Sequence, residues 1–203
     1  MIKLVIFDLD GVLIDACEIH RIALNSALKE VCNYEIPMNE HYSKYNGLPT
    51  KIKLKKLFEN GIITKDKIEK IENLKQKKTL EFINKDIHKD KEKVDMMEKL
   101  KNKNIMISCY TNSIRNTAEV MLQNSGIFNF LDILITNEEV KNPKPDPEGY
   151  LKILDFFNLE PKNSLIVEDS EVGIEAAKAS GCNYIPVKSP NEVNFELIEK
   201  FVI

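Results

Sequence analysis

The chain has 203 residues, enough for one large domain or for a core that carries a smaller inserted one. With 43% hydrophobic and 30% charged residues it is not a disordered chain. A net charge of -3, with lysines mixed among acids, excludes the basic field that recruits nucleic acid or an anionic membrane surface.

The first element is an almost unbroken apolar run with β-branched residues, Ile2-Lys3-Leu4-Val5-Ile6-Phe7. That is the pattern of a strand buried on both faces of a parallel sheet. It stops on Asp8 and Asp10, and Gly11 permits a sharp turn. Two carboxylates one residue apart at the end of a strand repel each other and lose hydration, a cost that a divalent cation relieves. Mg²⁺ takes one or two carboxylates together with phosphate oxygens and water. The carboxyl ends of strands are where open α/β sheets bind ligands.

From Asp15 to about Lys91 strand-like runs vanish. Ile19, Ile22, Ala23, Ala27, Leu28 and Val31 recur at three- and four-residue steps and predict an amphipathic helix. Asn33 to Thr50 reads as irregular, broken by Pro37, Gly47 and Pro49. Ile52, Leu54, Leu57 and Phe58 predict a short helix that ends near Asn60-Gly61. Ile68, Ile71, Leu74, Lys78 and Phe82 predict another, with the charge-dense stretch Lys65 to Lys78 as its solvated face. His41 and His88 have no metal-ligand spacing and are expected at the surface.

Near residue 93 strands and helices begin to alternate. Val94, Met97 and Leu100 line a helix, and Ile105 to Tyr110 is a second buried strand ending on Thr111-Asn112-Ser113. A helix follows to Ser125-Gly126, then a third strand, Ile133-Leu134-Ile135. The loop Asn142-Pro143-Lys144-Pro145-Asp146-Pro147 feeds a helix from Glu148 to Phe157. The fourth strand, Leu165-Ile166-Val167, ends on Glu168-Asp169-Ser170. A helix with Ile174, Ala177 and Ala179 stops at Gly181, and Tyr184 to Val187 is a fifth strand. This order implies an α/β fold with a parallel sheet and right-handed crossovers.

Parallel strands bring their carboxyl ends to one edge, so Asp8/Asp10, Thr111/Asn112/Ser113 and Glu168/Asp169/Ser170 converge there, with Lys144 on a neighbouring loop. Each type suits phosphoryl chemistry. One carboxylate can attack phosphorus, and a second can protonate the leaving alkoxide and later activate water. A hydroxyl and a lysine can hold the phosphoryl oxygens, and further acids can complete a Mg²⁺ site. Helices that start just past Ser113 and Ser170 point positive dipole ends at the anion.

The series DLDGVLID, YTNS, KPDPEGY and VEDSEVGIEAAKASG resembles the haloacid dehalogenase-like phosphohydrolase superfamily, in the branch with a helical cap that holds phosphoglycolate-phosphatase-like and β-phosphoglucomutase-like enzymes. The resemblance covers essentially the whole chain and is weakest in the cap. It implies a Rossmann-like core of residues 1–14 and 92–203 with a helical cap of residues 15–91. It also implies that Asp8 is the nucleophile of an aspartyl-phosphate and Asp10 the general acid/base, with its carbonyl on the metal. Thr111 would bind the phosphoryl group, helped by Asn112. Lys144 would bridge nucleophile and phosphate, Asp169 would ligate Mg²⁺ directly, and Glu168 would do so directly or through water. An acid at position 10 disfavours the carbon–halogen cleavage of the superfamily's dehalogenases, which lack it.

Some positions depart from the branch. Ala16 stands where Ser or Thr is common, and the Pro-Gly usual before the second core helix is missing near Lys91 to Val94. Gly47 lies in the stretch that resembles the specificity loop. A β-phosphoglucomutase carries a lysine and an arginine where this chain has Asn46 and Thr50, so phosphatase is preferred over phosphosugar mutase. His20 matches a cap histidine that could reach a substrate.

The expected protein is a Mg²⁺-dependent phosphatase of a small phosphorylated metabolite, a sugar phosphate or similar. The alternatives are a β-phosphoglucomutase-like mutase and a non-catalytic phosphate-ligand-binding protein on the same fold. No nucleic-acid or membrane partner is expected, and a monomer is. No apolar run approaches a membrane span, and no charged-then-apolar leader precedes the first strand, so the cytoplasm is the expected location. Cys17, Cys32, Cys109 and Cys182 lack CxxC spacing and read as reduced, mostly buried thiols, with Cys109 structural.

Overall fold

A computed structural model describes residues 1–202. The chain divides into two compact units: Met1–Asp15 together with the segment from His88 onward, and Ala16–Ile87.

The first unit is built on strands β1 (Leu4–Phe7), β2 (Met106–Tyr110), β3 (Ile133–Ile135), β4 (Ser164–Glu168) and β5 (Asn183–Pro186). They form one parallel sheet in the order β3-β2-β1-β4-β5. This is the Rossmann-like α/β fold. Leu4 and Ile6 point to one face and pack with Tyr150, Ile153, Ala176 and Ala177. Val5 and Phe7, on the opposite face, are equally buried, which is why the run does not alternate. Phe7 pairs with Cys109 on one side and Val167 on the other, so the ends of three strands lie level. The chain runs outward from β1 to β2 and β3, then returns to β4 on the far side of β1. This reversal of direction beside β1 is the crevice where such sheets bind ligands.

The second unit is all helical. Helix α1 (Cys17–Cys32) packs along the longest helix of the unit, Ile68–Asp86. Leu24, Leu28, Ile36, Tyr45, Leu54, Leu57 and Ile71 fill its core. The stretch expected to be irregular is partly helical, because α2 (Met38–Glu40) continues into a π-helical turn, His41–Tyr45; α3 (Thr50–Glu59) is the short helix expected to end near Asn60-Gly61. Pro37 and Pro49 stand at the N-caps of α2 and α3, where a missing N–H costs nothing, so they start helices rather than break them.

Two further expectations fail in this unit. His41 is buried at 1% exposure, with the rings of Tyr42 and Tyr45 at 5.7 and 6.5 Å. Burial, then the charges of Lys53 and Arg21, push its imidazole down to about 4, so it is neutral. Lys75 also leaves the solvated face expected for Lys65 to Lys78. It is buried on α4 (Ile68–Asp86), with its Nζ 3.2 Å from His20 Nδ1.

In the α/β unit, Asp90 accepts from the N–H groups of Glu92 and Lys93 and starts α5 (Lys91–Asn102). Helices α6 (Arg115–Ser125), α7 (Glu148–Phe157), α8 (Glu171–Ser180) and α9 (Phe195–Val202) complete it. Among the described residues no helix is long and apolar enough to cross a membrane.

Candidate active site

Asp8 is the first residue beyond β1, and its N–H still donates to Val167 O at 3.0 Å. Its side chain therefore leaves the sheet at the edge where Tyr110 and Glu168 end β2 and β4. Gly11 turns the chain away with φ +94°, and a Cβ there would lie 2.3 Å from Asp169 Oδ2. Glycine at position 11 thus serves the turn and also makes room for Asp169.

Lys144 is not an exposed loop residue. At 2% exposure its Nζ donates to Asp8 Oδ1 at 2.6 Å, Glu168 Oε1 at 2.5 Å and Tyr110 O at 2.8 Å. Three acceptors match the three protons of an ammonium. The ring centroids of Tyr110 and Tyr150 lie 4.7 and 5.3 Å from Nζ and add cation–π attraction. Burial works to strip the proton from Lys144. The charges of Asp8 and Glu168 outweigh it and hold the ammonium well above the usual lysine range.

The Lys144 backbone is fixed separately. Asn112 Oδ1 accepts from Lys144 N–H at 3.1 Å, and Asn112 Nδ2 donates to Lys144 O at 3.3 Å. Asn137 Nδ2 in turn donates to Asn112 O at 2.8 Å. The Asn112 amide, expected to help with phosphate, here joins the two loops.

Asp10 accepts from Ser113 Oγ at 2.9 Å and, more distantly, from Thr111 Oγ1 at 3.5 Å. Thr111 is buried, and its Oγ1 accepts from Ser113 N–H at 3.0 Å. Asp8, Glu168 and Asp169 each offer an oxygen, all within 4.8 Å of one another. Burial, then Glu168, Asp169 and Asp10, lift the Asp8 carboxyl well above the usual carboxylate range, against Lys144, which draws it down. Burial, then Glu168 and Asp10, push Asp169 up to about 7. Three carboxylates in a space this small, two of them resisting ionisation, are short of positive charge. Oxygen donors of this kind fit Mg²⁺.

The fold thus brings together Asp8, Asp10, Thr111, Asn112, Lys144, Glu168 and Asp169. His20 and Gly47 belong to the helical unit, where Gly47 takes φ +71° after the π-helical turn. Asn137 was absent from the expected site, and Ser113 and Tyr150 had no role assigned in it. Ser113 was visible within a polar strand end. Tyr150 was visible as the last residue of KPDPEGY, but its place in the apolar repeat of α7 hid the role of its hydroxyl. Cys109 is fully buried in β2, where burial drives its thiol well above the usual range, as suits a structural residue.

Glu168 is also confined from behind, where a Cβ on Gly173 would lie 2.1 Å from its carboxylate. Gly173→Ala gains about 1 kcal/mol of helix propensity in α8 but meets about 1–3 kcal/mol of overpacking against a fixed, buried group. The steric cost wins, so a lowered thermal midpoint is expected. A raised midpoint would show that Glu168 is free to move.

The sequence matches the family model described as haloacid dehalogenase-like hydrolase over residues 5–187. The chain is similar to a phosphorylated carbohydrates phosphatase of Thermotoga maritima, 29% identical over 194 residues that cover 89% of this chain and 82% of that protein. It is also similar to a phosphoglycolate phosphatase of Aquifex aeolicus, 28% identical over 180 residues that cover 88% and 81% of the two chains. Among solved structures, a beta-phosphoglucomutase of Clostridium difficile matches with a TM-score of 0.85 and 24% identity, over 100% of this chain and 97% of that one. That last likeness is one of fold.

Proposed function

We propose, from the premise that this chain belongs to the haloacid dehalogenase-like hydrolase family and is a phosphatase of phosphorylated compounds, that it hydrolyses a small phosphomonoester through an aspartyl-phosphate at Asp8, with Mg²⁺ as cofactor. The observation that carries this is the buried Lys144 ammonium tied to both Asp8 and Glu168 at the carboxyl edge of the sheet. A cation held there keeps Asp8 usable as an anion and offsets its repulsion from an incoming phosphate.

Asp8 attacks phosphorus, and Asp10 gives a proton to the leaving oxygen. Ser113 orients the Asp10 carboxyl group, whose protonated form makes that transfer. Asp10 then takes a proton from the water that opens the aspartyl-phosphate. The Thr111 hydroxyl turns its one proton from its long contact with Asp10 to a phosphoryl oxygen, and the Lys144 charge offsets the charge of those oxygens. Asp8, Asp169 and Glu168, with the Asp10 carbonyl, are the groups that would hold Mg²⁺. Bound there, the ion would neutralise charge on the phosphoryl oxygens and the carboxylates.

The α/β unit holds every group of this chemistry. The free thiols of Cys17, Cys32, Cys109 and Cys182 suit a reducing compartment, the cytoplasm. A sugar phosphate or similar small metabolite is the proposed substrate class, in keeping with the name of the Thermotoga maritima relative.

The test is phosphate release from a panel of sugar phosphates, phosphoglycolate and nucleotides, with Mg²⁺ or with EDTA. Release that falls at least about a hundred-fold in EDTA and returns with Mg²⁺ is expected. Conversion of glucose 1-phosphate to its 6-phosphate without release would replace the phosphatase with a mutase.

A further inference from the structure

Tyr150 is a fully buried phenol that the steps above do not use. Its hydroxyl donates to Glu168 Oε1 at 2.7 Å, the same oxygen that accepts from Lys144 Nζ. The other oxygen, Oε2, accepts from Asp169 N–H at 3.1 Å and Ser170 Oγ at 3.4 Å. Four donors on one carboxylate hold it against rotation. The Tyr150 ring meets the Tyr110 ring edge to face, at 4.9 Å and 90°, and both rings stand beside the Lys144 ammonium. Tyr150 therefore supplies one wall of the ammonium cage and one of the bonds that fix the carboxylate to which the ammonium is tied.

Resting on the phosphatase reading above, we infer that Tyr150 is a positioning residue: by pinning Glu168 Oε1 it holds the Lys144 ammonium against Asp8, and so sets how the phosphoryl group meets its nucleophile. It acts through Glu168 and Lys144 and transfers no proton. Its ring alone would serve a purely structural role, packed as it is with Ile6, Tyr110 and Ile166. Phenylalanine keeps that ring and loses only the hydroxyl. The two roles therefore separate on one substitution.

The test uses Tyr150→Phe, Glu168→Gln and the double variant, with p-nitrophenyl phosphate and Mg²⁺. For Tyr150→Phe, kcat is expected to fall about ten-fold with KM within about two-fold and the thermal midpoint near that of the parent. The same substitution adds little once Glu168 is Gln, because its route of action is gone. A second readout needs no turnover: ¹⁵N NMR of the lysine ammonium groups. The caged Lys144 protons exchange slowly in the parent, and at least about ten times faster in Tyr150→Phe. A kcat within two-fold of the parent, a loss that multiplies in full with that of Glu168→Gln, or unchanged ammonium exchange would each overturn the assignment. A parent protein that releases no phosphate counts against the phosphatase reading, and the ammonium exchange then decides the Tyr150 role by itself.

Discussion

Asp8→Asn is expected to abolish phosphate release, by at least about 10⁴-fold in kcat, while the protein stays folded. The amide keeps the shape of the carboxylate and removes the anion proposed to attack phosphorus. Stability is expected to change by less than about 1 kcal/mol, because two effects oppose each other. Lys144 loses one ionic partner but keeps Glu168 and the Tyr110 carbonyl. Against that, Asp8 ionises at a cost: burial and three neighbouring acids lift its carboxyl well above the usual range, so a neutral residue removes repulsion. Kinetics and a thermal melt on the same preparation check both halves. Undiminished release would mean that the nucleophile lies elsewhere.

Lys144→Ala is expected to lose both activity and stability. The ammonium neutralises Asp8 and Glu168 at 2.6 and 2.5 Å in a space closed to solvent, and breaking such a buried pair from one side costs about 3–5 kcal/mol. Turnover is expected to fall at least about 10³-fold, since nucleophile and phosphoryl group then repel each other unscreened.

The stability loss carries a pH signature in metal-free protein. Asp8 already has a folded-state pKa raised by burial, and Asp169 titrates near 7. Without Lys144, which draws both down, these values rise further. A carboxyl whose folded pKa exceeds its unfolded one binds more protons when folded, so stability falls as pH rises and recovers as pH falls. The deficit of Lys144→Ala against the parent is therefore largest above about pH 7 and narrows toward pH 5, before general acid unfolding sets in. Denaturant melts across that range test it. A deficit that widens on acidification would mean that the carboxylates are not held in the raised state.

Much of this architecture was legible because strands buried on both faces leave continuous apolar runs. Leu4 to Phe7, Met106 to Tyr110 and Ser164 to Glu168 end on the polar clusters that form the site. Lys144 was legible as a lysine between prolines, through its place in a motif series. What it touches was not, because its partners stand at the ends of other strands. Tyr150 was legible as the last residue of KPDPEGY, but its partner was hidden for a related reason. Its position fits the apolar face of α7, and nothing local tells a core phenol from one that donates to Glu168. His41 and Lys75 were misplaced because spacing shows where polar residues fall along a helix but not which of them a neighbouring helix will cover. Pro37 and Pro49 misled for another reason: the same ring that ends a helix from inside starts one from its N-cap.

The most direct test of the covalent route is a rapid acid quench during turnover, followed by mass spectrometry of the peptide that carries Asp8. A phosphoryl group on Asp8, absent from the Asp8→Asn variant, is the expected result. Phosphate release with no adduct on the protein at any quench time, or an adduct on another residue, would contradict it.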